Sequence, residues 1–209
     1  MLTIYQADTK RFQGKKSLEK LLEELPLNTH KKALRYKFIE DAYNFVVGRL
    51  LLKKGLEELG MGDKLQHLAY QKSGKPYFDD VFFNISHSGN KVVCVLSTKG
   101  EVGVDIEKIK EVKVEDFDAW FTKNEWTEIN NAPSPLQKFY WYWTRKESII
   151  KALGVTLSYL HKIEVDATKD HFIESGKKWY LKDLDFGRGY FGALCSEVEI
   201  VGFSQKTIS

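Results

Sequence analysis

Ser134-Pro-Leu-Gln-Lys-Phe-Tyr-Trp-Tyr-Trp-Thr-Arg-Lys-Glu-Ser-Ile-Ile-Lys-Ala-Leu-Gly154 reads as one helix with both ends marked. Pro135 occupies the favoured first helical position, Ser134 and Gln137 match a capping box, and Gly154 is a stop. The apolar stripe runs through Leu136, Phe139, Tyr140, Trp143, Ile150 and Leu153. Glu147 falls on that stripe, and Lys151 follows it four positions later on the same side. A carboxylate on a core-facing stripe must be compensated, because burying a lone charge is costly. A metal ion or Lys151 would do this; an exposed i, i+4 pair is the ordinary alternative.

Working outward, Val102-Gly-Val-Asp-Ile-Glu107 reads as a strand. Val102, Val104 and Ile106 form one face, expected to be buried, and Gly103, Asp105 and Glu107 the other. Two carboxylates at i, i+2 repel unless a cation lies between them, and Gly103 leaves room beside them. The competing reading is a solvated outer face of an edge hairpin. Three carboxylates (Asp105, Glu107, Glu147) and a lysine (Lys151) are what a chain needs to hold a hard divalent cation against a phosphate.

The remaining elements follow from local signals. Leu2 to Ala7 reads as a strand, and Ser17 to Leu25 as a short helix closed by Pro26. A long helix is expected from a cap at Asn28 or Thr29 to near Gly55, with His30, Lys31, Lys32, Arg35 and Lys37 in its first turns. Val81 to Ile85 and Lys91 to Ser97 read as strands joined by the loop Ser86-His-Ser-Gly-Asn90. Its small hydroxyl residues and glycine could gather backbone amides around an anion, and His87 could add a donor; a plain turn is the alternative. Lys99-Gly100 suggests a hairpin between 91–97 and 101–107. Thr122-Lys-Asn-Glu125 is a capping box. Strands are expected at 161–165, 178–181, 190–195 and 197–203.

A long helix followed by an antiparallel sheet thus occurs twice. The expected fold class is α+β: two similar lobes with a pseudo-twofold relation, residues 1–100 and 101–209, with a cleft for ligand. Composition agrees with an ordered protein. Of 209 residues, 43% are hydrophobic and 13% aromatic, which argues against disorder. A net charge of +3 suits an anionic ligand but is too small to indicate a nucleic-acid binder. The two cysteines, Cys94 and Cys195, lie in apolar runs and are expected as buried free thiols. The N-terminus has no basic leader, and no span is long enough to cross a membrane, so a cytoplasmic protein is expected.

Together, Phe83-Asn-Ile-Ser-His-Ser88, Val102–Glu107 and Trp143–Lys151 resemble the three-motif signature of 4'-phosphopantetheinyl transferases, in the single-chain, two-lobed Sfp-type branch. Weaker matches cover most of residues 25–155. The resemblance implies Mg²⁺-dependent transfer of the phosphopantetheine arm of coenzyme A to a serine of an apo acyl- or peptidyl-carrier protein, with release of adenosine 3',5'-bisphosphate. It implies Asp105, Glu107 and Glu147 as Mg²⁺ ligands and Lys151 against the α-phosphate. It implies Ser86 and His87 at the 3'-phosphate, and Lys75, Lys32 and Arg35 facing phosphate or adenine. Glu147 or Glu107 would accept the serine proton. The chain departs from the family pattern at Phe45, where a small hydroxyl residue is common, and at Thr29, where a basic one is expected. Residues 108–126, with Lys108, Lys110, Lys113, Phe117, Trp120 and Phe121, are the candidate carrier surface.

A monomer that engages neither nucleic acid nor membrane is expected. The competing functions are a Mg²⁺-dependent phosphodiesterase or nuclease, which predicts a stronger basic footprint, and a non-catalytic carrier- or nucleotide-binding module, which predicts loss of a metal ligand. A plain structural domain would leave Glu147 unexplained.

Overall fold

The computed structural model describes residues 2–13 and 16–208. The strands are β1 (Leu2–Asp8), β2 (Ala69–Tyr70), β3 (Pro76–Tyr77), β4 (Phe82–Ser88), β5 (Lys91–Ser97), β6 (Val102–Lys108), β7 (His171–Glu174), β8 (Lys177–Asp183), β9 (Tyr190–Ser196) and β10 (Ser204–Ile208). The α-helices are α1 (Thr9–Gln13), α2 (Leu18–Leu22), α3 (Leu27–Ala33), α4 (Ile39–Glu58), α5 (Lys123–Asn131) and α6 (Pro135–Leu153). Short 3-10 turns cover Gly62–His67, Val114–Trp120 and Leu157–Lys162. The fold is α+β, as expected.

The chain divides into two compact units, residues 1–98 with 202–209, and residues 99–201. The expected second lobe runs to residue 209. Here the last strand, β10, pairs in parallel with β1 and belongs to the first unit. β1 offers an open edge there, and an unpaired edge is a template for another strand.

In the first unit the sheet order is β10-β1-β5-β4. α4 covers it, and two glycines let the helix come close. A Cβ at Gly48 would stand 2.9 Å from Ile85 Cγ2, and one at Gly55 would stand 2.7 Å from Leu96 Cδ1. The core between them is apolar: Val46, Val47, Leu51, Leu52 and Leu56 of the helix against Tyr5, Val92, Cys94 and Leu96 of the sheet.

Three expectations fail in this unit. The single helix from residue 28 to near 55 is two helices, α3 and α4, parted at Leu34–Phe38. Neither Asn28 nor Thr29 caps; the N-cap positions are Pro26 and Phe38, without side-chain hydrogen bonds. The loop at 86–90 is shorter than expected. Ser86, His87 and Ser88 continue β4, and only Gly89, at φ +58°, and Asn90 make the turn. Finally, β5 and β6 form no hairpin. Val92 to Leu96 are buried throughout and β5 is paired on both sides, by β1 and β4. With no free edge on β5, residues 99–101 lead instead to another sheet.

In the second unit the antiparallel order is β6-β9-β8-β7. The Thr122–Glu125 capping box forms in both directions. The α6 boundaries match the sequence signals, with Gly154 in the left-handed region at φ +70°. Ser134 makes no side-chain cap, so its box with Gln137 is absent; Pro135 removes one donor there. Residues 161–165 and 197–203 form no strand, whereas 171–174 do. Both cysteines are buried and free.

Candidate functional site

β6 and α6 bring the acidic residues together because Gly103 has no side chain. A Cβ there would stand 2.1 Å from Ser148 O and 2.4 Å from Ala152 N. The α6 backbone therefore lies directly on the strand face that carries Gly103, Asp105 and Glu107. That face is the packed one, not a solvated hairpin exterior. Val102, Val104 and Ile106 on the other face are also fully buried. With the strand covered on both faces, its carboxylates meet Glu147 and Lys151 under the helix.

Asp105 is 2% exposed, and Lys151 Nζ donates to its Oδ1 at 2.6 Å. Lys151 thus reaches across to the strand as well as lying one turn beyond Glu147. Burial weakens the Lys151 ammonium, but Asp105, Glu147 and Glu107 outweigh burial and leave its pKa raised. Glu147 is half-buried, and its carboxyl is pushed up to about 7. Burial is the main cause; Lys151 opposes it, and the neighbouring charges of Asp105 and Glu107 add to it. The four groups form one electrostatic cluster. Among the described residues, no three His, Cys, Asp or Glu side chains stand as a ready metal site. The donor set nonetheless suits a hard cation: carboxylate oxygens only, one buried and two partly exposed, and mutually repelling.

A second ion pair anchors α6, and sequence reading assigned it no role. Lys146 and Glu125 are each 1% exposed. Lys146 Nζ donates to Glu125 Oε2 and to Ile163 O, both at 2.6 Å. Glu125 also accepts from the amides of Thr122 and Val165. The capping residue of α5 is therefore also the counter-charge that fixes α6 next to the cluster. On the outer side, Arg145 makes a two-pronged bond to Asp183, at 2.8 and 3.0 Å, and lies 3.9 Å from the centre of the Trp141 ring.

The basic candidates lie in the first unit. Lys32 and Arg35 line a cavity of about 550 Å³ with Thr29, Tyr36, Phe45 and Tyr70. Both positions that depart from the family pattern, Thr29 and Phe45, are in this wall. Lys75 is in the turn between β2 and β3, where its carbonyl accepts from Gln71 N. Ser86 is buried and His87 exposed, and as successive strand residues they face opposite sides of the sheet. The expected cradle of converging loop amides is thus replaced by two side chains on two faces. A larger cavity, about 730 Å³, is lined by Glu128, Tyr142, Glu164, Asp166 and His171 among others, and holds none of the expected site residues.

The candidate carrier surface changes character. Phe121 is buried, and Phe117 and Phe121 pack on Phe139 and Trp143 at ring distances of 5.1 to 6.4 Å. These aromatics belong to the core. Lys108, Lys110 and Lys113 remain exposed, interspersed with exposed Glu111, Glu115, Asp116 and Asp118.

Two family descriptions match the chain: "4'-phosphopantetheinyl transferase superfamily" over residues 101–195, and "4'-phosphopantetheinyl transferase, N-terminal" over residues 13–99. The chain is 30% identical over 190 residues to 4'-phosphopantetheinyl transferase Sfp of Bacillus subtilis (strain 168), covering 85% of this chain and 84% of that one. It is 28% identical over 211 residues to 4'-phosphopantetheinyl transferase ffp of Bacillus subtilis, covering 93% and 92%. It is 38% identical over 126 residues to 4'-phosphopantetheinyl transferase gsp of Aneurinibacillus migulanus, where the match spans 58% of this chain and about half, 52%, of that relative. No helix among the described residues is long and apolar enough to cross a membrane.

Proposed function

This chain belongs to the 4'-phosphopantetheinyl transferase family, and we propose that it transfers the phosphopantetheine arm of coenzyme A to a serine of an acyl- or peptidyl-carrier protein. The observation that carries this reading is the packing of α6 on Gly103, which gathers Asp105, Glu107, Glu147 and Lys151 into one cluster. In the reaction, the carrier serine oxygen bonds to the phosphorus that bears the pantetheine arm. The phosphoanhydride bond breaks, and adenosine 3',5'-bisphosphate departs with the bridging oxygen.

Asp105, Glu107 and Glu147 are the residues that would hold Mg²⁺, as hard oxygen donors. When bound, Mg²⁺ supplies charge neutralisation at the pyrophosphate. Lys151 offsets the charge that develops on the leaving phosphate, from a position fixed by Asp105. Glu147 or Glu107, directly or through water, takes the serine proton. Lys32 and Arg35, with Lys75, take the adenosine end, and Ser86 or His87, one on each face of β4, its 3'-phosphate; the cavity beside Lys32 and Arg35 supports this. The exposed lysines 108, 110 and 113 are the proposed contact for an acidic carrier helix.

The test is a mass spectrum of an apo acyl-carrier protein incubated with the protein, coenzyme A and Mg²⁺. The expected result is a gain of one phosphopantetheine arm, lost with Glu147→Ala or with EDTA. No gain with several carriers while coenzyme A still binds would reduce the protein to a binding module. A gain that survives Glu147→Ala would remove that residue from the site.

A further inference from the structure

Arg49 lies on the inner side of α4, one turn after Phe45, and is 5% exposed. Its guanidinium carbon stands 5.3 Å from the centre of the Phe45 ring. Its Nη1 is buried and has no hydrogen-bond partner among the described residues. Burial is the main influence on its charge and lowers its pKa; Tyr70, which also offers it a side-chain hydrogen bond, Cys94 and Tyr36 act against burial, with no carboxylate among them. A buried cation without an anion is costly, and its retention calls for an explanation.

Phe45, which Arg49 stacks against, and Tyr36 and Tyr70, which act on its charge, are walls of the cavity that Lys32 and Arg35 line. Lys32 Nζ stands 5.4 Å from the centre of Phe45 and 5.2 Å from that of Tyr70. Phe45 is therefore flanked by two cations, one exposed and one buried. A phosphate entering the cavity meets Lys32 and Arg35 directly. It also feels Arg49 from behind the aromatic wall, where protein rather than salt water lies between the charges and screening is weak. The ligand would supply the anion that the protein does not.

We infer that Arg49 is a specificity-determining residue: it holds Phe45 and Tyr70 as cavity walls and biases the cavity toward a nucleotide end that carries an additional phosphate. Arg49 acts through the rings and through its field, so it is a positioning residue. The inference rests on the assignment of this cavity to the adenosine end of coenzyme A.

The experiment compares coenzyme A with 3'-dephospho-coenzyme A as substrates of the wild type, Arg49→Met, Arg49→Lys and, as a control on the cavity itself, Lys32→Ala. Arg49→Met should raise KM for coenzyme A about tenfold more than it raises KM for the dephospho form, and spare kcat for both. Arg49→Lys should recover most of the preference. An equal loss of kcat with both substrates would make Arg49 merely structural and overturn the inference. If Lys32→Ala weakens coenzyme A and Arg49→Met does not, the inference on Arg49 falls alone. A wild type that ignores the 3'-phosphate, with Lys32→Ala silent, overturns the cavity assignment and Arg49 with it. Should Arg49→Met fail to fold by circular dichroism, calorimetric titration of Arg49→Gln and Arg49→Lys decides. The advantage of adenosine 3',5'-bisphosphate over adenosine 5'-monophosphate must shrink in the first and persist in the second; equal advantages would sink the idea.

Discussion

Each unit lays a long helix on a four-stranded sheet, and each needs glycine at the contact, but the glycines sit on opposite partners. In the first unit Gly48 and Gly55 belong to the helix, and what they approach is side chain: Ile85, Leu96 and Tyr5. In the second, Gly103 belongs to the strand and approaches the helix backbone itself. The fillings differ too. Beneath α4 the contact is mostly apolar, with Asn44 and Arg49 as the buried polar exceptions. On α6, Thr144, Arg145, Lys146 and Ser148 are all buried, their demands met by backbone carbonyls and by Glu125 and Asp183. The comparison teaches that one packing arrangement can serve two ends. An apolar contact stabilises. A contact lined with charges, held tightly enough to bury part of them, tunes those charges for chemistry.

Breaking the tight backbone contact should have the largest consequence. Gly103→Ala places a methyl group where Ser148 O and Ala152 N now stand, so α6 must move off β6. Because a shift of about 1 Å can cost about 100-fold in rate, phosphopantetheine transfer should fall by at least that order, with a loss of stability as well. Near-normal turnover in a steady-state assay would show that the contact does not set the geometry of the acidic cluster. Next comes the anchor of α6. Lys146→Ala leaves Glu125 buried without its counter-charge and should lower unfolding free energy by about 3–5 kcal/mol in urea denaturation. A change below about 1 kcal/mol, the range of exposed pairs, would mean that water reaches Glu125 readily. The mildest break is Gly55→Ala. Its Cβ presses on the movable ends of Leu96 and Tyr5, a clash of about 1–3 kcal/mol, partly offset by the roughly 1 kcal/mol gain in helix propensity. The expected net effect is a melting temperature lowered by a few degrees with kcat unchanged; a drop in kcat would show that the apolar contact also serves the reaction.

Local chemistry was legible wherever a short signal fixes the backbone. Thr122 with Glu125, Pro135 and Gly154 marked their helix ends correctly, because capping depends on residues within one turn. The acidic motif was legible for the same reason: Asp105 and Glu107 follow from strand alternation, and Glu147 stood out as a charge on an apolar stripe. Arg49 carried the same kind of signal, a charge one turn after Phe45 on an apolar helix face, and could have been noticed by it. Other readings failed where the partner is distant. The break between α3 and α4 has no Pro or Gly to announce it. The β5–β6 hairpin was a sound local inference from Lys99-Gly100, defeated because β1, far away in the chain, already holds the edge of β5.

The sequence by itself therefore determined the helix ends, the strands that carry the acidic residues, the buried free thiols and the family to which the motifs point. All of these depend on neighbours along the chain. Only the tertiary structure decided that Lys151 reaches Asp105, that Lys146 pairs with Glu125, that β10 returns to β1 and that Gly103 exists to admit a helix. Each of these joins residues remote in sequence, and their energies come from burial and low dielectric, which no single segment possesses until the chain has packed.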